Sequence, residues 1–211
     1  LVIISGGIDL SVGGVCALGC CVCAKILNST GSSLLAIAVV LLIGLAVGAF
    51  NGFVVSKTGI APFIVTLSTV SIIRGITLVM TNASPMPISN ATFKFIGQGT
   101  LLGIPFPIYI TLILAIITAF VMNKTVFGRY VYAIGGNERS AAVAGIQVKK
   151  VKISVYMVSG FLAAFTAIIY TSRLSSGVPS LGNGFEMDAI TAAVIGGASL
   201  AGGQGHIWGT M

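Results

Sequence analysis

Charged residues are scarce in this 211-residue sequence, and acidic ones are nearly absent. Only 7% of the residues are charged, with four Asp or Glu against 11 Lys or Arg and a net charge of +7. Hydrophobic residues make up 56% and the mean hydropathy is +1.09, which leaves too little polar surface to cover a water-soluble globule. The composition therefore predicts an integral membrane protein. Its basic residues lie beside apolar segments, where lipid headgroups and topology explain them better than nucleic acid does.

Sequence patterns of catalysis are missing as well. There is a single histidine, His206, no Gly-x-Ser-x-Gly motif, and no His or carboxylate pair at metal-ligand spacing. The glycines between 196 and 205 lack the Gly-Lys-Ser/Thr ending of a phosphate-binding loop. We therefore expect no catalytic, cofactor or metal site in this chain, and no ATP hydrolysis by it.

All four cysteines lie in one apolar segment. Three of them, Cys16, Cys20 and Cys23, follow the i, i+4, i+7 spacing of one helix face, and Cys21 lies between them. A metal or redox site would require thiolates in hydrocarbon without neighbouring charges. We interpret the cysteines as small packing residues.

Apolar runs of membrane-spanning length are the main feature that is present. A bilayer core about 30 Å thick requires about 20 apolar residues of helix, and such runs occur near 10–27, 33–56, 60–80, 104–123 and 153–171. The apolar segment 189–200 is too short to cross and leads into a glycine-rich stretch, which predicts a broken or re-entrant element. We predict an all-α, polytopic transmembrane helical bundle with broken or re-entrant helices. Because the sequence starts inside an apolar run, we expect a fragment truncated at both ends.

Six of the 11 basic residues fall in the loop 124–152, between two apolar runs. Lys and Arg in short loops are retained on the cytoplasmic side, so we predict that this loop is cytoplasmic. Counting back along the chain places Lys57 inside, and the connections 28–33 and 81–103 outside. Lys25 then lies near the outer face, where a lysine can snorkel.

A short helix is predicted inside this basic loop. Asn137 suits the N-cap of a helix over 138–144, and Gly145 suits its left-handed stop. Such a helix either docks on a protein or lies at the lipid headgroups, held there by nearby lysines. Its small alanine surface favours insertion into a protein groove.

Small and polar residues mark two of the predicted spans. Gly44, Gly48 and Gly52 recur every four residues and predict close helix packing. The span that begins at Ala61-Pro62 carries five hydroxyl residues, Thr66, Ser68, Thr69, Ser71 and Thr77. These hydroxyls either bond to their own or a neighbouring helix, which we favour, or line a hydrated pathway. Arg74 lies toward the outer end, where it can snorkel.

Two segments place acidic residues beside glycines. In GGIDLSVGG, residues 6–14, paired glycines frame Asp9 and Ser11. Asp9 either caps the following helix or belongs to a discontinuous helix that lines a solute path, and both can hold. A similar arrangement recurs at 184–203, where Glu186 and Asp188 precede a small-residue helix that ends in glycine pairs. An internal repeat is a hypothesis that superposition of the two segments would test.

The sequence resembles the permease subunit of bacterial ABC importers for monosaccharides, most closely the ribose-type permeases. The resemblance rests on GGIDLSVGG at 6–14, APFIVTL at 61–67, RGITLVMTNASP at 74–85, GRYVYAIGGNE at 128–138, RLSS at 173–176 and FEMDAITAAVIGGASLAGG at 185–203. These motifs cover essentially the whole chain in order.

The resemblance implies one transmembrane permease domain over 1–211, with 124–152 as a cytoplasmic coupling loop, in the bacterial inner membrane. Implied partners are a second permease copy, cytoplasmic ATP-binding cassettes that hold ATP and Mg²⁺, and an extracytoplasmic sugar-binding protein. By position, coupling to the ATPase falls to Asn137, Glu138, Arg139, Ala141, Ala142 and Gly145. The spacing departs from the common Glu-Ala-Ala-x-x-x-Gly pattern, since Arg139-Ser140 follows Glu138.

Candidates for the translocation path are the polar residues Asp9, Ser11, Asn51, Thr66, Thr69, Glu186 and Asp188. The resemblance implies that the solute is a monosaccharide. Among monosaccharides, we expect a pentose such as ribose. Two alternatives stay open, namely an ATP-independent channel or facilitator and an ABC permease for a non-sugar solute.

Overall fold

The computed structural model describes residues 1–210, which form a helical bundle. In chain order, the α-helices are α1 (Val12–Thr30), α2 (Ser33–Thr58), α3 (Pro62–Thr81), α4 (Ala91–Gln98), α5 (Phe106–Lys124), α6 (Val126–Gly136), α7 (Glu138–Val143), α8 (Val148–Leu174) and α9 (Phe185–Ile195), followed by a 3₁₀ turn at Ile207–Thr210. Five of them, α1, α2, α3, α5 and α8, are long and apolar enough to cross a membrane. The predicted all-α multi-pass fold is therefore confirmed. Four spans begin and end within three residues of the predicted runs, and α8 begins five residues before its predicted start at 153.

Helix α1 lies at the centre of the bundle, where α2, α3 and α8 surround it. Its side chains are small, and Cys16, Cys20 and Cys23 are buried in the core with Val15 and Ala24. All four cysteines are free thiols. Small residues let three neighbouring helices approach one central helix closely.

Helices α2 and α8 form the most extensive helix pair in the bundle. Gly44, Gly48 and Gly52 of α2 lie against α8, and a Cβ added at Gly44 or Gly48 would overlap the backbone carbonyl oxygens of Gly160 or Tyr156. The missing side chains therefore set the distance between the two helix backbones.

Large apolar side chains cover the outside of the bundle, most densely on α5. Only 11% of the apolar window of α5 is buried, and Ile113, Ile116 and Phe120 are exposed on it. In water such a surface would be unstable, whereas lipid chains solvate it.

The end of the bundle that carries α6, α7, the end of α2 and the start of α8 is here called the basic end. It holds seven of the 11 Lys and Arg residues, namely Lys57, Lys124, Arg129, Arg139, Lys149, Lys150 and Lys152. The helix directions agree with the predicted parity, so that Lys57 and the loop 124–152 share this end. The positive-inside rule makes it the predicted cytoplasmic end.

The opposite end, the strand end, holds four two-residue strands and the helix α4. Strand β1 (Met86–Pro87) pairs antiparallel with β4 (Ser176–Gly177), and β2 (Thr100–Leu101) forms a hairpin with β3 (Ile104–Pro105). Strands β1 and β2 and helix α4 lie in the predicted outer connection 81–103, in which the sequence analysis placed no helix, whereas β3 follows this connection directly and β4 follows α8.

Helix α4 is fixed by side chains from elsewhere in the chain. Asn90 caps it by accepting a hydrogen bond from the Phe93 N–H at 2.9 Å, and Asn90 also donates to the Gly31 carbonyl at 2.8 Å. The buried Ser172 hydroxyl accepts from the Gly97 N–H and donates to the Phe93 carbonyl, both at 2.7 Å. The cap at Asn90 is the local signal by which α4 was predictable.

The glycine-rich stretch after α9 turns back against the start of the chain. Helix α9 has 11 residues and is too short to cross a bilayer, as predicted. The Gly203 N–H then donates to the Ile4 carbonyl at 2.8 Å, and the Tyr132 hydroxyl donates to the Gly205 carbonyl at 2.8 Å. Burial at this contact raises the pKa of Tyr132.

The structure differs in two ways from a helix that is broken at both glycine pairs and capped by Asp9. The second glycine pair, Gly13 and Gly14, does not break the helix but lies inside α1, where a Cβ on Gly14 would meet Val70 of α3 at 2.9 Å. Asp9 is not the N-cap, because the helix begins after Ser11, whose own side chain makes no capping bond. The irregular backbone of this segment extends up to Ser11, and α1 begins at Val12.

Candidate functional site

The segment before α1 is buried without regular secondary structure, and Asp9 holds it in place. The Asp9 carboxylate accepts three hydrogen bonds: the Ser11 N–H at 2.9 Å and the Ser11 and Ser159 hydroxyls, each at 2.6 Å. Only 8% of Asp9 is exposed. Hydrogen bonds to a carboxylate offset much of the cost of burying it.

The network continues from Ser11 into α2 and α3. The Asn51 side-chain amide donates to the Ser11 hydroxyl at 2.9 Å, and the Thr69 hydroxyl donates to the Asn51 oxygen at 2.7 Å. Thr66 bonds to the carbonyls of Pro62 at 3.0 Å and Ile8 at 3.4 Å. These bonds tie the broken segment to three helices, and we call the set Asp9, Ser11, Asn51, Thr69 and Ser159 the Asp9 network.

Four of the predicted path residues make hydrogen bonds inside the protein, and their role in the translocation path stays a prediction. Ser11, Asn51, Thr66 and Thr69 are buried, hydrogen-bonded inside the protein and absent from the walls of the large cavity described next. Thr77 also bonds to its own helix, at the Ile73 carbonyl. The sequence correctly indicated polar helix faces, but such faces serve packing as readily as solute passage.

A cavity of about 740 Å³ opens between α1, α5, α8 and α9. Three of the four acidic residues of the chain line it, namely Asp9, Glu186 and Asp188. The remaining polar lining includes two hydroxyl pairs, Thr111 and Thr118 on α5 and Ser159 and Thr166 on α8, and the aromatic lining includes Tyr170, Phe165 and Phe185. The cavity therefore combines apolar walls with a small number of polar groups, as small-molecule sites do.

The hydroxyl pairs were missed in the sequence, although a signal for them existed. Thr111 and Thr118 are seven residues apart, as are Ser159 and Thr166. Seven residues are nearly two helical turns, so each pair shares one helix face. Two apolar spans with hydroxyls at this spacing predict faces turned toward a common space.

The cavity lining offers hydrogen-bonding groups and aromatic rings that can contact a solute with hydroxyl groups. Carboxylates accept hydrogen bonds from hydroxyls, serine and threonine both donate and accept, and aromatic rings offer flat apolar contact. Metal chemistry has no matching side chains, since residues 1–210 contain no group of three or more His, Cys, Asp or Glu positioned to hold a metal ion.

Arg74 lies on α3, and snorkelling of its side chain stays a prediction. Its guanidinium Nη2 donates to the carbonyl of Gly182 at 3.0 Å and is partly buried. Arg74 therefore connects α3 to the loop that leads into α9.

Helix α7 stands at the basic end with a defined orientation. Asn137 caps it by accepting from the Ser140 N–H at 2.9 Å, and Gly145 follows it with a left-handed φ of +85°. Glu138 pairs with Lys152 of α8 at 2.6 Å. A groove along α7 is lined by Ser56, Asn137, Glu138, Arg139, Ala142, Val148, Lys149 and Lys152.

The two alanines of α7 point in different directions. Ala141 is only 4% exposed and packs in a core cluster with Val131 and Ile134. Ala142 is exposed, and Val143 is 90% exposed. The predicted alanine surface is therefore corrected: Ala141 anchors α7 to the bundle, and Val143, which the sequence analysis did not single out, is the apolar side chain presented outward.

Comparison with known proteins gives matches along the full length of the chain. The family model described as "Branched-chain amino acid transport system / permease component" matches residues 1–211. The chain is 45% identical to the ribose import permease protein of Haemophilus influenzae over 214 residues, covering 100% of this chain and 66% of that protein. It is 46% identical to the ribose import permease protein of Bacillus subtilis, covering 100% of this chain and 66% of that protein.

A third relative is the D-allose transport system permease protein of Escherichia coli, which is 41% identical and of which the chain covers 64%, with 99% of this chain aligned. The chain thus spans about two thirds of the length of these relatives. No solved structure matches it significantly.

Proposed function

Because the chain belongs to the permease component family of branched-chain amino acid type transport systems, we propose that it is the membrane-spanning part of an ATP-driven, binding-protein-dependent importer for a monosaccharide. One observation carries the proposal: relatives named as ribose import permeases align with this chain over its entire length at 45% and 46% identity. Ribose is accordingly the first solute to test.

The cavity supports a sugar as the solute. Asp9, Glu186 and Asp188 supply acceptors for sugar hydroxyls, while Tyr170 and Phe185 supply apolar faces. We propose that solute passes along this cavity, with Glu186 and Asp188 as contacts. Ser11, Asn51, Thr66 and Thr69 act on transport only through the shape of the bundle.

The proposed partners follow from the division of labour in such an importer. ATP and Mg²⁺ are bound and hydrolysed in separate cassette subunits at the basic end, which is cytoplasmic in the inner membrane. A second copy of the permease completes the membrane part, and a sugar-binding protein delivers solute at the strand end. This chain itself needs no cofactor.

Uptake into proteoliposomes tests the proposal directly. The full-length parent, its cassette ATPase and its binding protein are reconstituted, and a panel of labelled pentoses and hexoses is offered with and without internal ATP. We expect accumulation above the external concentration that depends on ATP, with ribose preferred. Uptake that only equilibrates and ignores ATP would instead identify a facilitator.

A second candidate is an importer of branched-chain amino acids, since the family description names that solute. Unlabelled leucine and unlabelled ribose are offered as competitors in the same assay. Competition by leucine but not by ribose would transfer the proposal to amino acids, while the architecture and the ATP dependence would stand.

Helix α7 offers a test of coupling that is separate from solute identity. Val143→Asp places a charge on the exposed tip of α7, and Leu102→Asp is the matched control, because Leu102 is 91% exposed at the strand end. We expect Val143→Asp to abolish solute-stimulated ATP hydrolysis and to weaken cassette binding, with Leu102→Asp leaving both unchanged. Equal hydrolysis in the two variants would remove α7 as the coupling element.

A further inference from the structure

The four serine and threonine side chains that line the large cavity already use their hydroxyl hydrogens inside the protein. Three of them donate to a carbonyl oxygen four residues earlier in their own helix, namely Thr111 to Pro107 at 2.9 Å, Thr118 to Leu114 at 2.7 Å and Thr166 to Leu162 at 2.9 Å. The fourth, Ser159, donates to Asp9 Oδ2 at 2.6 Å. A hydroxyl group has a single hydrogen and two lone pairs, so these side chains present acceptors to a solute.

The acidic side chains of the cavity are acceptors as well. Asp9, Glu186 and Asp188 belong to its lining, and an ionised carboxylate has no hydrogen to donate. Within residues 1–210, the lining includes no Lys, Arg or His. Tyr170 is the lining residue whose hydroxyl hydrogen has no acceptor in the described part of the chain. The side chains of the cavity therefore combine negative charge with many acceptors and one free hydroxyl donor.

This lining disfavours a solute that carries a carboxylate or a phosphate group. Such an anion needs N–H or O–H donors to replace the water that it leaves, and an anion buried without them is costly. The negative charges of the lining add repulsion, which is stronger between apolar walls than in water. A neutral solute with several hydroxyl groups brings its own hydrogens, for which the cavity supplies acceptors.

The same property separates the two solute classes considered above. A branched-chain amino acid carries a carboxylate, to which the side chains of the described lining offer the Tyr170 hydroxyl as a donor. A monosaccharide has no ionised group, and its hydroxyls donate as well as accept. The chemistry of the lining therefore favours a sugar over the amino acid that the family description names.

We propose that this cavity excludes anionic solutes, and that Thr118 of α5 and Thr166 of α8 are specificity residues that accept hydrogen bonds from solute hydroxyls. The two threonines line the cavity from two different helices. The inference rests on the proposed function for the route of the solute, and it adds the charge class that this route accepts.

Binding to the permease alone tests the charge class. The full-length parent is placed in nanodiscs of uncharged lipid, without binding protein or ATP, and weak binding is measured by saturation-transfer NMR. Two matched pairs are compared, ribose with ribonate and glucose with gluconate, because the second member of each pair carries a carboxylate. We expect at least one of the sugars to give a signal about five-fold stronger than its acid.

The outcomes of this comparison are distinct. Equal signals from the sugars and their acids would overturn the exclusion of anions, and no signal from either sugar would overturn the cavity as a solute site. Binding of glucose but not of ribose, with both acids rejected, would keep the exclusion and overturn only the proposed pentose. Import of ribose by a complex whose permease binds ribonate equally well would keep the proposed function and overturn this inference.

Threonine-to-valine substitutions locate the binding. Valine is branched at Cβ like threonine but has no oxygen, and we expect Thr118→Val and Thr166→Val each to weaken the sugar signal about three-fold. Thr77→Val is the matched control, because Thr77 is buried, donates to the Ile73 carbonyl at 2.8 Å and is absent from the cavity lining. An equal loss in all three variants, or no loss at Thr118 and Thr166, would reject the two threonines as contacts.

An added donor should relax the exclusion. Asp188→Asn removes one negative charge from the lining and supplies an amide N–H₂ group, and Asp188 is exposed, so that its packing is not at stake. We expect the ribonate signal to rise at least about two-fold, with a smaller change for ribose. An unchanged ribonate signal would show that charge and donors in the lining do not set the specificity.

Discussion

Asp9 and Glu186 occupy similar places in two glycine-framed segments, yet their carboxylates differ in the hydrogen bonds that they accept. Asp9 accepts three hydrogen bonds from Ser11 and Ser159, whereas Glu186 keeps a buried oxygen without any donor among residues 1–210. A satisfied buried acid fixes a structure, and an unsatisfied one is available to a ligand or a counter-charge. The contrast separates an acid whose hydrogen bonds are satisfied within the bundle from one that keeps an unpaired buried oxygen.

The helices that follow Asp9 and Glu186 also differ, in how much of each helix is buried. Helix α1 is the most buried of the five spans, with 61% of its apolar window inside the bundle, and α9 has no buried residue. The helix after Asp9 therefore forms the core of the described bundle, whereas α9 adds no buried residue to it.

Removal of the Asp9 carboxylate should have the largest effect. Asp9→Ala leaves the Ser11 and Ser159 donors buried without an acceptor, and we expect a loss of about 3 kcal/mol of stability or failure to assemble. Thermal unfolding in detergent and the yield of folded protein measure this. Asp188→Ala is the control, because Asp188 is exposed. A similar loss of stability in both variants would mean that the buried hydrogen bonds of Asp9 do not stabilise the fold.

The second-largest effect on stability should come from overpacking the contact between α2 and α8. Gly48→Ala forces a methyl group into the backbone of α8, since the added Cβ would lie 2.8 Å from Met157 Cα and overlap the Tyr156 carbonyl. We expect about 2 kcal/mol of destabilisation. Gly75→Ala, in the middle of α3 with open space around it, should stabilise by about 0.5–1 kcal/mol, so the two substitutions should shift the midpoint of unfolding in opposite directions.

Substitution of Glu186 should change stability in the opposite direction from substitution of Asp9. Glu186→Leu removes a buried oxygen that lacks a donor, and we expect stability to be unchanged or raised by up to about 1 kcal/mol while uptake is lost. Parallel unfolding and uptake measurements on the same preparation separate the two effects. A destabilisation equal to that of Asp9→Ala would erase the distinction between the two acids.

Glu138 differs from both Asp9 and Glu186, because it lies at the surface. Loss of its ion pair should have the smallest effect on stability. Its carboxylate is half exposed and pairs with Lys152 at the surface. Lys152→Ala should change stability by less than about 1 kcal/mol, and this small change should disappear at high salt. A loss as large as that from Gly48→Ala would place this pair in the scaffold.

Sequence reasoning predicted the spans because bilayer length is a strong constraint that each span meets on its own. The helix starts at Ser33, Pro62 and Phe106 lie within two residues of the predicted runs. The cap at Asn137 was predictable because an N-cap acts within a few residues of itself.

The site was less predictable because its geometry depends on which helices are neighbours. Thr69 and Thr166 look alike in sequence, yet Thr69 bonds to Asn51 in the scaffold and Thr166 lines the cavity. Arg74 and Gly182 form a hydrogen bond although they are 108 residues apart in the sequence, and nothing near Arg74 in the sequence indicates this bond. Faces can be read from periodicity, but the partner of each face cannot.

The bond between Asp9 and Ser159 also has a consequence for how the protein is made. The two residues are 150 positions apart, so a chain synthesised from its amino terminus exposes Asp9 long before α8 exists. At ribosomal speeds of about 5–20 residues per second, this delay is roughly 8–30 s. During that interval the acid must wait at the membrane or in the insertion machinery without one of its three donors. The hydrogen-bond network around Asp9 can therefore be completed only after α8 has been synthesised.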